Sequence, residues 1–343
     1  MVFSTHRSVL LNDMSYLSLA KRDIRLFAES LGFSGSKLGE IEIIVSEITS
    51  NLVKHTNKGR EILYKQIEKD GAKGIEIIAI DNGPGMKDSQ HMLKDGISTT
   101  ATLGQGLGAI RRLSHEFDIF SLHGWGTILL SRYYLKSSIS GQKNENNDFE
   151  INAITVPKPG EKACGDGYAF KKTHTGLHLL AIDGLGHGPD AEEAARVAIK
   201  VFMNTDEKAP NDLLFVLHEQ LVKTRGAVGS ILEISFKEGD YLYCGIGNIQ
   251  AGFVNISGFK SLSSYNGILG MNKPSRIQNQ RADIESKEIF IITSDGIKSH
   301  WDHSIYPGIL SRDGSIIAAA IYKDNARRTD DSLVMILRIK TLR

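Results

Sequence analysis

Residues 137–149 read Ser-Ser-Ile-Ser-Gly-Gln-Lys-Asn-Glu-Asn-Asn-Asp-Phe. The run is polar, rich in Ser and Asn, and has no apolar period. Such a stretch reads as a linker between folded units. It therefore divides the 343 residues into two folding units, as the length alone also suggests. Each part is long enough to bury a core without staples. The expected organisation is a first domain over 1–137, a linker over 138–149 and a second domain over 150–343.

The first part mixes two periods. Ile41, Ile44, Val45, Ile48 and Leu52 share one face and predict a helix over 37–56. The run 74–80 predicts a buried strand ending at Asp81. A second helix is expected over 108–117, opening from a glycine cluster. Strands at 117–122 and 127–135 form a hairpin across His123-Gly124-Trp125-Gly126. The second part is richer in strands, expected at 150–156, 177–182, 229–236, 241–245, 251–255, 288–293 and 332–339. Helices are expected at 189–203, with Pro189 in the first turn, at 211–224 and at 307–324. This order predicts two unlike α+β layered domains.

Charge and cysteine usage narrow the function classes. Forty-one Lys and Arg balance 40 Asp and Glu, a net charge of +1, which argues against a nucleic-acid binder. Cys164 and Cys244 make neither a disulfide framework nor a cysteine zinc site, and fit a reducing cytosol. No run approaches ~18 consecutive apolar residues, so no membrane span is expected. The N-terminus lacks the basic-then-apolar pattern of a signal peptide.

On the helix at 37–56, Glu47, Asn51 and His55 recur every fourth residue and form a polar stripe beside the apolar face. An amide oxygen there can ligate Mg²⁺, and a carboxylate beside it can take a proton from a nucleophile. Asp81-Asn82-Gly83-Pro84-Gly85 follows at a strand end, where a carboxylate can accept from an exocyclic amino group. Gly104-Gln105-Gly106-Leu107-Gly108 then enters a helix, whose free N–H groups suit a phosphate. Together these segments resemble the nucleotide-binding boxes of the gyrase/Hsp90/histidine-kinase/MutL (GHKL) ATPases. The run from Asp81 to Ser121 looks like the anti-sigma-factor serine kinases, the stressosome switch kinases above all. The resemblance implies a Bergerat-type α/β sandwich that binds ATP with Mg²⁺. Glu47 would be the catalytic base and Asn51 the Mg²⁺ ligand. His55, Asp81, Gly83, Gly85, Gly104, Gly106, Leu107 and Gly108 would shape the nucleotide site.

The second part places acidic residues at element ends. These are Asp166 in Cys164-Gly165-Asp166-Gly167, Asp183-Gly184 and Asp295-Gly296 after apolar strands, and Asp330-Asp331 before the last strand. Carboxylates gathered over one end of a sheet repel and call for cations. Oxygen ligands favour Mg²⁺ or Mn²⁺, and two such ions can activate a water against a phosphoryl group. The pattern resembles the PP2C phosphatases of the SpoIIE/RsbX type, with Gly245-Ile246-Gly247-Asn248 in support. The resemblance implies an α-β-β-α sandwich with two Mn²⁺ or Mg²⁺. Asp166, Asp183, the Gly184 carbonyl, Asp295, Asp330 and Asp331 would form the metal set. His187 lies close by in sequence as a proton donor.

The two resemblances together imply a cytoplasmic signalling switch, a Ser/Thr protein kinase joined to a phosphoserine/phosphothreonine phosphatase. Its partners would be STAS-domain proteins, with a sigma factor or other regulator downstream, and a homodimer is compatible with it. The competing expectation is a nucleotide-sensing anti-sigma-type binding module that regulates a single active phosphatase.

Overall fold

The computed structural model describes the chain except for residues 1–3, 12, 14, 57–58, 87–102, 137–147, 256–257, 286–287, 300 and 342–343. The chain divides into two compact units, His6–Lys143 with Ser304–Ala320, and Asn144–His303 with Ile321–Arg343. Of the expected linker, 138–147 lie outside the described residues, while Phe149 opens a strand.

The first unit contains β1 (Arg7–Leu10), α1 (Ser15–Ser30), α2 (Gly35–His55), β2 (Glu61–Lys69), β3 (Ala72–Asp81), α3 (Leu103–Leu113), β4 (Glu116–Leu122) and β5 (Gly126–Tyr134). The strands form an antiparallel sheet in the order β1-β2-β3-β5-β4. Along β3, Ile75, Ile77 and Ala79 join the core formed with the helices, and the alternation sends Glu76, Ile78 and Ile80 to the other face. The predicted face of α2 is buried as expected, with Ile41, Ile44, Val45, Ile48 and Leu52 at most 4% exposed. Each such side chain contributes about 1.5–3 kcal/mol of burial.

Helix α3 corrects the expected start at 108 and end at 117, since it runs from Leu103 to Leu113. Gly104, Gly106 and Gly108 therefore fall inside its first two turns. Glycine costs roughly 1 kcal/mol per helical position. Burial of Leu107 and Ile110 against the core offsets that cost.

The other face of this sheet carries a buried ionic network. The Glu76 carboxylate meets Arg132 Nε at 2.7 Å, His6 Nε2 at 3.3 Å and Lys65 Nζ at 3.5 Å. Arg132 also grips Asp313 through both terminal nitrogens, at 2.7 and 2.9 Å, and Ser315 Oγ donates to Glu76. Burial raises the Glu76 pKa, but Lys65, Arg132 and His6 outweigh it and hold the carboxyl well below its usual range. A depressed carboxyl contributes stability above its unfolded pKa, about 4.3, and loses it as pH falls through the lower folded value. Glu76→Gln is therefore expected to lower Tm most near neutral pH. The gap from wild type should close progressively below about pH 4.3, as read by thermal melts across pH. A constant gap would contradict this account of the network.

The second unit holds β6 (Phe149–Val156), β7 (Asp166–Lys172), β8 (Gly176–Gly184), α4 (Pro189–Asn204), α5 (Pro210–Leu221), β9 (Ala227–Ser235), β10 (Asp240–Ile246), β11 (Gln250–Asn255), β12 (Gly258–Leu262), β13 (Gln280–Asp283), β14 (Ile289–Thr293) and β15 (Ser332–Ile339). Two antiparallel sheets, β13-β10-β9-β8-β7 and β12-β11-β14-β15-β6, enclose a core of inward residues such as Leu179, Leu232, Tyr243, Phe253 and Met335. Helices α4 and α5 cover the outer face of the first sheet through Ala194, Ala198, Phe202, Leu214 and Leu217. The helix expected over 307–324 is shorter. It runs as α6, Gly314–Asn325, because Gly308 (φ +80°) opens a 3₁₀ turn over Ile309–Ser311 first.

Candidate functional site

In the first unit, α2, the end of β3 and α3 enclose a pocket of about 170 Å³. Asn51, His55 and Asp81 supply its polar wall, while Ile48, Leu107, Ile119 and Leu129 supply an apolar slot. A flat, amine-bearing ring in such a slot meets one carboxylate at its edge. Asp81 is held at the strand end by pairing with Thr127, and its Oδ1 accepts from the Gly83 amide at 2.7 Å. Gly85 takes φ +67°, and a Cβ there would run into the Leu122 carbonyl. That glycine thus closes the turn against the β4–β5 hairpin, where the Met86 amide donates to Ser121 Oγ at 2.8 Å. Burial and Lys54 push the His55 imidazole down, against the pull of Asp81, and favour its neutral form.

Glu47 and Asn51 meet the start of α3. A Cβ on Gly106 would collide with Glu47 Oε2 and touch Asn51 Oδ1. The glycine is thus what lets the helix terminus, with its unpaired N–H groups, approach a carboxylate and an amide. Gly108 is buried in the same helix. Gly104 lies in its first turn. The expected stripe, Asp81 and Gly106 are brought together here. The rest of the segment that the sequence placed between Gly85 and Gly104 falls largely on 87–102, outside the described residues. Because the atom opposite Gly106 is the flexible end of Glu47, Gly106→Ala is expected to displace that carboxylate rather than unfold α3. Phosphoryl transfer should fall about 10²-fold or more, the scale of general-base catalysis, with Tm little changed. A variant with full turnover would contradict the expectation that Glu47 is the base.

In the second unit, Asp166 and Asp183 stand directly opposite each other across β7 and β8. Burial pushes both carboxyls well up, and the charges of Asp295, Asp330 and Asp331 add to the shift. The site therefore disfavours its own negative charge, a cost that a bound cation or a proton offsets. Among the described residues, however, no three His, Cys, Asp or Glu side chains stand close enough to hold an ion as placed. The carboxylates converge without closing.

Neighbouring groups aim these acids. Ser294 Oγ donates to Asp166 Oδ2 at 2.6 Å and accepts from the Leu333 amide at 2.9 Å. Asn248 Nδ2 donates to Asp295 Oδ2 at 2.8 Å. Asp331 engages both oxygens with backbone, accepting from Lys158 N at 2.7 Å and Gly165 N at 2.6 Å. It acts as a brace between segments. Asp330 Oδ1 accepts from the Asp331 amide. The glycines after the acids serve close packing: a Cβ on Gly184 would strike the Ala191 carbonyl, and one on Gly296 the Asp331 carbonyl. His187 sits between Lys158 Nζ at 2.8 Å and Glu161 at 2.5 Å. Cys164 is buried, and burial with the nearby carboxylates pushes its thiol well up, so it is no nucleophile. Sequence reasoning missed Ser294 and Lys158 and gave Asn248 no role. The signals were Ser294's place next to Asp295 and Asn248's place in the Gly-Ile-Gly-Asn turn, and none marked Lys158.

Comparisons with known proteins agree with both halves. The family described as histidine kinase-like ATPase domain matches residues 10–131. The serine/threonine-protein kinase RsbT of Bacillus subtilis (strain 168) is 37% identical over 112 residues, 33% of this chain and 84% of that protein. The phosphoserine phosphatase RsbX of the same organism is 28% identical over 158 residues, 46% of this chain and 78% of that protein. A solved chain of the bacterial stressosome, a modular system adapted to control secondary messenger signaling, is 27% identical. It superposes with a TM-score of 0.52 over 55% of this chain and 99% of its own.

Proposed function

Since the chain belongs to the family of the serine/threonine-protein kinase RsbT and joins that ATPase fold to a PP2C-type sandwich like that of RsbX, we propose that it is a two-headed protein-phosphorylation switch. The kinase head, assigned to residues 1–137, transfers the γ-phosphoryl group of ATP to a Ser or Thr of a small STAS-domain protein. The phosphatase head, assigned to 150–343, removes phosphate from phosphoserine or phosphothreonine. A cytosolic setting and a downstream sigma factor or other regulator complete the reading. Among the described residues no helix is long and apolar enough to cross a membrane.

In the first head, Asp81 accepts from the adenine amino group and the apolar slot holds the ring. The α3 terminus receives the phosphates. Glu47 takes the proton from the incoming hydroxyl, and Asn51 offers its amide oxygen to Mg²⁺. Most of the catalysis comes from positioning and charge neutralisation. In the second head, Asp166, Asp183, the Gly184 carbonyl, Asp295 and Asp330 would hold two Mn²⁺ or Mg²⁺, with Asp331 bracing the set. Such ions supply an acidified water and neutralise phosphoryl charge. Ser294 and Asn248 keep Asp166 and Asp295 aimed.

The observation that carries the phosphatase half of the reading is the opposed pair Asp166 and Asp183, buried and half-buried, whose charge a divalent cation would offset. Its test is incubation of the full chain with γ-labelled ATP, Mg²⁺ and a STAS-domain protein. Label is expected on the partner and to leave as inorganic phosphate once Mn²⁺ replaces the nucleotide. Label that stays wholly in ATP would reduce the first head to a nucleotide-sensing module that regulates a single phosphatase.

A further inference from the structure

A groove of about 420 Å³ opens on the outer face of the second unit's β12-β11-β14 sheet edge. Its floor follows from the strand register. Gly252 of β11 lies between Ser261 of β12 and Ile291 of β14, so the middle of this row has no side chain. Phe259 leans over the space a Gly252 Cβ would fill. Trp301 forms another wall. One step along, Gln250 pairs with Thr293. Two residues beyond that pair, at the same end of the sheet, stand Asn248 and Asp295, joined by their 2.8 Å hydrogen bond. Gly247, at φ +94°, makes the turn that delivers Asn248 there, and a Cβ on it would collide with Val228.

The groove therefore reaches the edge of the carboxylate cluster at Asn248, which lines it and donates to Asp295. The geometry points to a specificity groove for the polypeptide next to the phosphoserine, taking an apolar side chain of the substrate beside Ser261, against Phe259 and Trp301. Gly252 lies four residues along the chain from Asn248, at most about 13 Å at roughly 3.3 Å each. An extended substrate spans the same distance in three to four residues. The favoured substrate thus carries an apolar side chain three or four positions from its phosphoserine. This deepens the phosphatase reading and rests on it.

The test uses the full chain with Mn²⁺ and two kinds of probe. One is p-nitrophenyl phosphate, too small to reach the groove. The other is a set of phosphoserine peptides with Leu or Glu placed at each position from two to five on either side. Leu three or four residues away on one side is expected to raise kcat/KM about 10-fold over Glu, the scale on which an apolar pocket discriminates. Ser261→Trp, at an exposed edge-strand position, fills the groove and should erase that preference through KM. Phe259→Ala should weaken it. Both variants should hydrolyse p-nitrophenyl phosphate at the wild-type rate, which reports that they are folded. A preference that survives Ser261→Trp, or no positional preference in the wild type, overturns the groove while leaving the phosphatase standing. So does a change in sedimentation in place of selectivity, which would make the groove a self-association surface. Failure of the wild type on every probe overturns the phosphatase reading and the groove with it.

Discussion

Asp183→Asn is expected to abolish phosphoserine hydrolysis while leaving the fold intact. Asp183 closes β8 opposite Asp166, and its neighbours are further carboxylates. On the proposed assignment a neutral amide there removes a cation ligand. Losing several kcal/mol of charge stabilisation corresponds to about 10³-fold in rate. Stability should move the other way. Burial and the carboxylates around Asp183 penalise its charge, so the amide relieves repulsion, and Tm without added divalent cation should hold or rise. Asp295→Asn should behave alike in activity. Wild-type hydrolysis by either folded variant in added Mn²⁺ would remove these residues from the site. A collapse of Tm would instead assign Asp183 a structural role.

The second large effect concerns the other head. Asn51→Ala should remove ATP-dependent phosphorylation of a STAS-domain protein while p-nitrophenyl phosphate hydrolysis continues unchanged. Asn51 lines the nucleotide pocket and lies beside Glu47 at the α3 start. Glu47→Gln separates binding from chemistry. It keeps the shape of the side chain and removes its basicity, so nucleotide should still bind while transfer falls by about 10²–10⁴-fold. Equal loss of binding in Glu47→Gln would make the carboxylate a binding group. Full turnover in Asn51→Ala would withdraw its assignment to Mg²⁺.

Local periodicity made the site-bearing helix and most strands readable. The stripe on α2 is visible because Ile41, Ile44, Val45, Ile48 and Leu52 form a clean apolar face beside it. Most strands of the second unit read plainly because they are apolar and end in turn residues, but β7, β12 and β13 were missed, being partly polar or largely exposed. Three elements of the first unit stayed hidden: the four-residue strand β1, helix α1 and strand β2. Helix α1 leaves Tyr16, Leu19 and Leu26 exposed, at 39%, 38% and 54%, so apolar residues surround it and blur its period. Strand β2 buries Glu61 and Lys65, charges that read as surface until the network around Glu76 accounts for Lys65 and the Ser8 hydroxyl meets Glu61. The glycines of α3 suggested a loop because propensity is local, whereas the burial that overrides it is not. The acids at strand ends were legible for the same reason as the strands. Their aiming groups, Ser294 and Asn248, depend on contacts 128 and 47 residues away in sequence, which no local pattern encodes.

The central claim is that one chain both writes and erases a single kind of mark. Its most direct test is the intact mass of a co-encoded small STAS-domain protein incubated with the full chain. With ATP and Mg²⁺ the account predicts a gain of one phosphoryl group. After ATP is removed and Mn²⁺ added, the mass should return to its starting value. The Asn51→Ala chain should fail only the first step and the Asp183→Asn chain only the second. A partner whose mass never changes, or one whose phosphoryl group persists with wild-type chain and Mn²⁺, would contradict the account.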